Sequence, residues 1–331
     1  MVSITKKSGK YIYFNLKNAN GYEVNILNLG GIIQSFILPD GRDIVLGYDT
    51  AEEYENNCNF FGALIGPYAN RISGSQFELD GKIYTLEKNE GENHLHSGSH
   101  GIHTRIFEHA IEDDALVLTL KLPHMEDGYP GNVVIEVTYR LSDDNALVIS
   151  YKGTSDMKTI MNLTNHTYFT LAGQGKSNRD TEVKIVSDTF TVNDNKCIPT
   201  GEFREVCGTP LDFTSWKKIG KDIDEAVLAP YGGYDHNYVI NSEKVMKEAA
   251  FAKYGDLMLI AESDCPCMQF YTAQNMTEVK GKGNVTYTKG AGFCFETGFY
   301  PDACNNHEFP EPVTDSETPY IYETRFKVKM L

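Results

Sequence analysis

Two polar residues lie inside apolar, strand-like stretches, where they could transfer protons. Glu296 occurs in AGFCFETGFYPD (residues 291–302), among aromatic neighbours. Burial in such surroundings raises the pKa of a carboxyl group towards the range of a general base; the alternative is a strand-end glutamate that faces water. His166 occurs in MNLTNHTYFTLAG (residues 161–173), and an imidazole suits a general acid because its reference pKa is about 6.5. A core histidine hydrogen-bonded to a backbone carbonyl is the equally open alternative.

A second stretch, NEGENHLHSGSHGIH (residues 89–103), concentrates four histidines: His94, His96, His100 and His103. If the His-Leu-His run is extended, His94 and His96 point to the same face, as two ligands of one metal ion would. No nearby HxxxE or CxxC pattern supplies further ligands, and the glycines indicate a turn-rich loop. The spacing therefore favours a solvated loop over a metal site, with a hydrogen-bonding site as the second interpretation.

Two further stretches carry groups that could hold hydroxyls. Asn70 and Arg71 occur in GPYANRISG before a predicted hairpin, and the planar fork of an arginine suits hydroxyl and carboxylate oxygens. An arginine that pairs with a structural carboxylate is the favoured alternative on this stretch alone. Asp235 and His236 are adjacent in GGYDHNYVI, so in a strand they face opposite ways. Asp235 could accept hydrogen bonds from a ligand, or could simply be a turn aspartate.

The elements that must position these groups are predicted to be strands. Apolar runs flank Asp-Gly at residues 35–48 and 77–86, which is a strong hairpin signal. Residues 115–122 alternate, and residues 132–153 give two strands around a turn. More strand-like runs follow at 181–192, 236–241, 268–273, 292–300 and 320–331. This spacing predicts an all-β fold, a large antiparallel β-sandwich with few short helices.

The bulk composition narrows the class of protein. The 331 residues carry a net charge of −16, which opposes nucleic-acid binding because it repels phosphate backbones. The N-terminus has no signal-peptide pattern and no run is apolar enough to span a membrane. The seven cysteines are odd in number and irregularly spaced, which is typical of free thiols in a reducing cytoplasm. We therefore expect one cytoplasmic domain over residues 1–331, with no membrane or nucleic-acid partner.

The ordered set of these motifs resembles the aldose 1-epimerase (galactose mutarotase) family. The series is N-R, L-H, NLTNH-YF, GYDHNYV and ET with a later PD, in that order. The linking text DGYPGNVVIEVTYRLSDDNALVISY and IPTGEFREVCGTPLDF (residues 198–213) is also similar to the family. The resemblance runs from about residue 10 to the C-terminus.

The resemblance implies a β-sandwich of the galactose mutarotase type that interconverts the α and β anomers of a free aldose. It implies no cofactor and no metal, a small-molecule aldose as partner, and a monomer or homodimer. By matching motifs, Glu296 is the general base, His166 the general acid, and His96 a contact near the ring oxygen. The remaining residues implied to contact the sugar are Arg71, Asp235, Asn70 and Gln269. The family position also predicts a strand for residues 242–255, against their helical composition.

Several positions depart from the family pattern. Gly298 and Phe299 replace the usual Gln-His, Ser97 replaces a glycine, and Pro67 replaces a frequent arginine. Because of these departures, the resemblance does not identify the preferred aldose, and galactose cannot be assumed. A glycosidase that pairs Glu296 with Asp235, a non-catalytic sugar-binding protein and a phosphosugar epimerase of the same fold are the alternatives. A phosphosugar would require additional arginine or lysine in the cleft.

Overall fold

The computed structural model describes residues 1–241 and 243–331. Its strands in the first half of the chain are β1 (Val2–Ser8), β2 (Tyr11–Lys17), β3 (Glu23–Leu27), β4 (Ile33–Ile37), β5 (Leu64–Ile65), β6 (Arg71–Ile72), β7 (Gln76–Leu79), β8 (Lys82–Thr85), β9 (His94–Leu95), β10 (Glu108–Glu112), β11 (Ala115–Leu122), β12 (Val133–Leu141), β13 (Ala146–Ser155), β14 (Thr159–Ile160) and β15 (Thr164–Asn165). Those in the second half are β16 (Glu182–Ile185), β17 (Thr189–Asn193), β18 (Pro199–Glu205), β19 (Lys217–Lys218), β20 (Asp235–Val239), β21 (Lys247–Tyr254), β22 (Leu257–Ser263), β23 (Cys267–Tyr271), β24 (Val279–Lys280), β25 (Thr286–Tyr287), β26 (Cys294–Gly298), β27 (Val313–Thr314) and β28 (Tyr320–Met330).

Within residues 1–241 and 243–331, the helical segments are single 3₁₀ turns. They are Glu52–Asn56, Ser73–Ser75, Ile102–Thr104, Glu126–Gly128, Ala226–Tyr231, Lys282–Asn284 and Ala303–Asn305. None of the helices in the described ranges has the length and apolar character needed to cross a bilayer.

Three antiparallel sheets contain most of the strands, which confirms the predicted all-β class. A nine-stranded sheet has the order β10-β11-β12-β13-β28-β22-β21-β16-β19. A four-stranded sheet follows chain order from β1 to β4, and a five-stranded sheet has the order β18-β17-β20-β23-β26. The main hydrophobic cluster draws buried residues from all three sheets, so the sheets pack on a shared core.

The hairpin β12–β13 shows how local sequence produces this core. In β12, Val133, Ile135 and Val137 are buried while the intervening residues are less buried or exposed, as expected for a strand with one face on the core. The turn between the strands places Asn145 at a φ of 66°, a left-handed conformation that asparagine tolerates well. The prediction of two strands within residues 132–153 is confirmed.

Two other predictions have mixed outcomes. Lys247–Tyr254 is a strand, so tertiary position overrides the helical composition of residues 242–255; Ser242 lies outside the described residues. The second half of the predicted hairpin at residues 35–48 is wrong as a strand, because it forms only isolated bridges. One of these joins Val45 to Phe169, so this run supports the segment that carries the candidate acid.

Asn162, which is buried, joins three chain segments. Its backbone N–H donates to Pro67 O at 2.8 Å, and its carbonyl accepts from Ala69 N at 2.8 Å. Its side-chain amide donates to Ala69 O at 3.3 Å, and its Oδ1 accepts from Phe299 N at 2.8 Å. These bonds tie together the segments on which the candidate arginine, acid and base lie.

We expect Asn162→Ala to lower the free energy of unfolding by about 2–3 kcal/mol, because it leaves buried backbone groups without partners. Asn56→Ala, at an exposed position, should change it by no more than about 0.5 kcal/mol. Urea unfolding of the three proteins measures both values. Equal stability of the two variants would show that the side-chain bonds of Asn162 contribute little.

Candidate active site

Most of the side chains singled out in the sequence meet at one open pocket of about 220 Å³. Six of the seven predicted site residues line it: Asn70, Arg71, His96, His166, Asp235 and Glu296. The seventh, Gln269, lies beside the pocket and contacts it through Asp235, to which its Nε2 donates at 2.6 Å. Segments far apart in the sequence therefore converge here.

The five-stranded sheet positions Asp235 and Glu296, each opposite a residue of β23. Gln269 on β23 is the register partner of Glu296 on β26, and Tyr271 is the partner of Asp235 on β20. Directly opposed residues of antiparallel strands face the same side, so all four side chains share one face. His236, one residue along, turns to the other face and packs on Tyr231, as the adjacency with Asp235 predicts.

His166 and Glu296 form a close, deeply buried titratable pair in the pocket. His166 Nε2 lies 3.7 Å from Glu296 Oε1, and both side chains are 6% exposed. The other ring nitrogen, Nδ1, lies 3.6 Å from Cys294 Sγ, and the ring stacks on Tyr168 at a centroid distance of 4.9 Å. The imidazole is therefore held on both edges and one face.

Burial shifts both members of this pair towards their neutral forms. Desolvation raises the pKa of Glu296 well above its usual value; the charge of Asp235 adds to the rise, and Arg71 opposes it. Burial lowers the pKa of His166 to about 4. A contact of 3.7 Å would favour an ion pair, but desolvation is the larger effect on both pKa values. Both shifts favour a neutral carboxylic acid beside a neutral imidazole over an ion pair.

His96 is fixed as a hydrogen-bond donor. Its Nδ1 accepts from the backbone N–H of Asn70 at 3.2 Å, so the hydrogen of the neutral ring is on Nε2. Burial lowers the pKa of His96 well below its usual value, which keeps the ring neutral. Ligand atoms of His96, His166 and Glu296 lie within 4.8 Å of one another, a spacing that could suit a metal ion. The tautomer argues against such a site, because it makes Nε2 of His96 a donor.

The extended conformation that would place His94 and His96 on one face is not adopted. His96 has a φ of 52°, which ends the alternation of β9, and the two rings diverge. His94 instead contacts Glu87 O at 2.7 Å and Tyr129 OH at 3.0 Å, so its role is structural. His103 packs against Phe60 at 5.0 Å, behind the pocket lining.

Arg71 and Asp235 are held by neighbours rather than left free. Arg71 makes a two-pronged ion pair with Glu90, from Nε to Oε2 and from Nη2 to Oε1, both at 2.7 Å. Burial raises the pKa of Asp235, while Arg71 and the hydrogen bond from Gln269 oppose the rise. Both side chains can therefore offer oriented polar groups to ligand hydroxyls.

Sequence reasoning missed several residues that line the pocket, among them Phe60, Glu90 and Tyr271. Tyr271 had a usable signal, since it lies two residues after Gln269 on the same strand and so on the same face. Phe60 packs against the rings of His96 and His166 at 4.8 and 5.8 Å. Nothing in its spacing, or in that of Glu90, pointed to a site, because both are placed by loops.

The unusual Gly298 and Phe299 lie outside the pocket lining. A Cβ at position 298 would stand 2.7 Å from Asn162 Oδ1, so the glycine leaves room for that side chain. Phe299 packs on Tyr320 and Tyr322, at 6.0 and 5.3 Å. Gly298 and Phe299 therefore belong to the packing behind the site and not to the groups that line it.

Comparison with known proteins matches residues 13–327 to the family described as aldose 1-epimerase. The chain is 35% identical to bovine (Bos taurus) galactose mutarotase over 99% of both chains, and 32% identical to aldose 1-epimerase of Escherichia coli over 91% of this chain and 90% of that one. Among solved structures, it is similar to galactose 1-epimerase of Lactobacillus acidophilus, with a TM-score of 0.88, 25% identity, and coverage of 100% of this chain and 98% of that one. An aldose epimerase homologue from C. elegans also has a TM-score of 0.88, with 27% identity and coverage of 96% and 98%.

We expect the imidazole of His166 to titrate at a pH of about 4, because burial disfavours its charged form. His236, whose pKa burial also lowers to about 4, is the matched comparison. NMR of ¹⁵N-histidine-labelled protein, in the parent and in Glu296→Gln, distinguishes burial from ion pairing with Glu296 as the main influence on the pKa of His166. If titration of His166 instead fell above pH 6.5 and dropped in Glu296→Gln while His236 stayed unchanged, the ion pair would outweigh burial.

Proposed function

Because the chain belongs to the aldose 1-epimerase family and is thereby an isomerase, we propose that its pocket interconverts the α and β anomers of a free hexose such as galactose or glucose. The observation that carries the proposal is the buried contact between His166 and Glu296, at 3.7 Å. An acid and a base at this separation can each transfer a proton with one of two oxygens that are bonded to the same carbon. The anomeric hydroxyl and the ring oxygen of an aldose are such a pair.

In the proposed reaction, transfer of the Glu296 proton to His166 first forms the reactive pair. Glu296 as carboxylate then removes the proton of the C1 hydroxyl, and protonated His166 donates a proton to the ring oxygen. The bond between C1 and the ring oxygen breaks as the C1 carbonyl forms, which gives the open-chain aldehyde. Rotation about the C1–C2 bond turns the other face of the carbonyl to the C5 hydroxyl. Closure then follows the same steps in reverse, and no atom is gained or lost.

The proton count of the pair stays at one throughout this cycle. Ring opening converts Glu296 carboxylate and charged His166 into a carboxylic acid and a neutral imidazole. Burial favours this neutral form, since desolvation raises the pKa of Glu296 and lowers that of His166. Burial therefore favours the protonation state of the ring-opened complex over the charged pair from which opening starts.

The other predicted residues are proposed to hold the sugar. Arg71 donates to hydroxyl oxygens, and Asp235, steadied by Gln269, accepts from hydroxyl hydrogens. Asn70 lines the pocket, and its backbone fixes the tautomer of His96. Nε2 of His96 can then donate a hydrogen bond to the ring oxygen or to a neighbouring hydroxyl. This hydrogen bond strengthens as negative charge develops on the accepting oxygen.

We expect the protein to speed the approach of α-D-glucose or α-D-galactose to its equilibrium rotation in polarimetry. Glu296→Gln and His166→Gln should each lower kcat by about 10²–10⁴-fold, the usual contribution of one acid or base. His100→Gln, at an exposed position, should retain the parental rate. Full activity in Glu296→Gln would contradict the assigned base. A parent protein that accelerates neither sugar would contradict the proposed substrates, and a glycoside or phosphosugar would be tested next.

We expect kcat/KM, corrected for the uncatalysed rate, to form a broad plateau in pH. Below about pH 4 a second proton enters as His166 charges, which removes the base. Above the raised pKa of Glu296 the remaining proton is lost, which removes the acid; both limbs belong to the coupled pair. In His166→Gln the residual rate should instead rise through the pKa of Glu296. A parental acid limb above pH 6 would contradict this account.

A further inference from the structure

Glu90 holds Arg71 by a two-pronged ion pair at the pocket. Two of the five guanidinium donors go to its carboxylate, at 2.7 Å each. The Arg71 side chain is 13% exposed and that of Glu90 is 36% exposed, so the pair lies at the wall of the pocket. The guanidinium can turn only its remaining N–H groups towards a ligand.

The turn that carries Glu90 is itself held in place. Glu90 and Asn93 exchange backbone hydrogen bonds at 3.1 and 3.0 Å, and Asn93 Oδ1 accepts from Gly74 N at 3.2 Å. Asn89 bonds in both directions with the backbone of Leu95, at 2.8 and 2.9 Å. Leu95 in turn pairs with Arg71 across β6 and β9. The carboxylate and the guanidinium are therefore positioned by one connected framework.

Acidic residues outnumber basic ones among the described residues that line the pocket. Arg71 is the single cation among the described lining residues, against three carboxyl groups, those of Glu90, Asp235 and Glu296. Because Glu90 cancels the guanidinium charge, an anion in the pocket would meet no unpaired cation. Charge effects at such a partly buried site are weakly screened by salt, so an anionic ligand would be disfavoured.

We propose that Glu90 is a positioning and specificity residue, which orients Arg71 for hydroxyl oxygens and, by neutralising it, restricts the pocket to uncharged aldoses. The inference rests on the proposed function of the same pocket. It assigns Glu90 no contact with the reacting atoms, so its effect is on binding and not on the chemical step.

The test compares D-galactose with D-galacturonate, which carries a carboxylate in place of the hydroxymethyl group. Dissociation constants are measured by saturation-transfer NMR for the parent, Glu90→Gln and Glu92→Gln. Glu92 is the matched control, since it lies in the same turn and carries the same charge, but its side chain is 75% exposed and pairs with Lys88. Thermal melts of the three proteins establish that all are folded.

We expect the ratio of the galacturonate to the galactose dissociation constant to fall by about tenfold or more in Glu90→Gln, because an unpaired Arg71 attracts the carboxylate. The ratio should be unchanged in Glu92→Gln. Polarimetry of galactose should show a several-fold higher KM in Glu90→Gln with kcat within about twofold, as for a loss of uniform binding. An equal ratio in parent and Glu90→Gln would overturn the inference while leaving mutarotation intact. Absence of galactose binding by the parent would overturn it together with the proposed function.

Discussion

The hydrogen bonds of Asn162 are the constraint on which the site depends. One residue uses its backbone and its side chain to join the segment before Arg71, its own segment leading to His166, and the strand end that follows Glu296. The absence of a side chain at Gly298 leaves space for this junction. Buried hydrogen bonds of this kind contribute little net stability when made, but are costly to leave incomplete. They therefore enforce one relative placement of acid, base and arginine.

Burial is the second determinant of the site, and it acts on titratable groups rather than on apolar ones. Removing Glu296 and His166 from water costs free energy that the rest of the core must offset. In return, the pKa values of the two groups move towards each other's range, which makes proton exchange between them feasible. The aromatic rings of Phe60 and Tyr168 supply much of the cover over His166. The packing that buries His166 and Glu296 thus also sets their pKa values.

The sequence was sufficient for the fold class and for the convergence of six residues on one pocket. Alternation in strands such as β12 predicts which side chains face inwards, and the apolar company of Glu296 predicts its burial. The rest depended on backbone conformation and loop placement. The left-handed φ of His96 separates it from His94, and no spacing rule foresees that. Glu90 reaches Arg71 through a turn, and Lys247–Tyr254 is a strand because its neighbours in the nine-stranded sheet override its composition. Such effects arise from tertiary contacts and leave no local pattern.

The order of the nine-stranded sheet has a consequence for biosynthesis. β28 lies between β13 and β22, although it is made after both of them. Until residues 320–330 have left the ribosome, the sheet exists as two parts, each with an open edge of unpaired backbone groups. Such edges are templates for pairing with other chains. The nascent chain is therefore exposed to aggregation until β28 closes the gap between the two parts, so protection by chaperones is most valuable before β28 has been made.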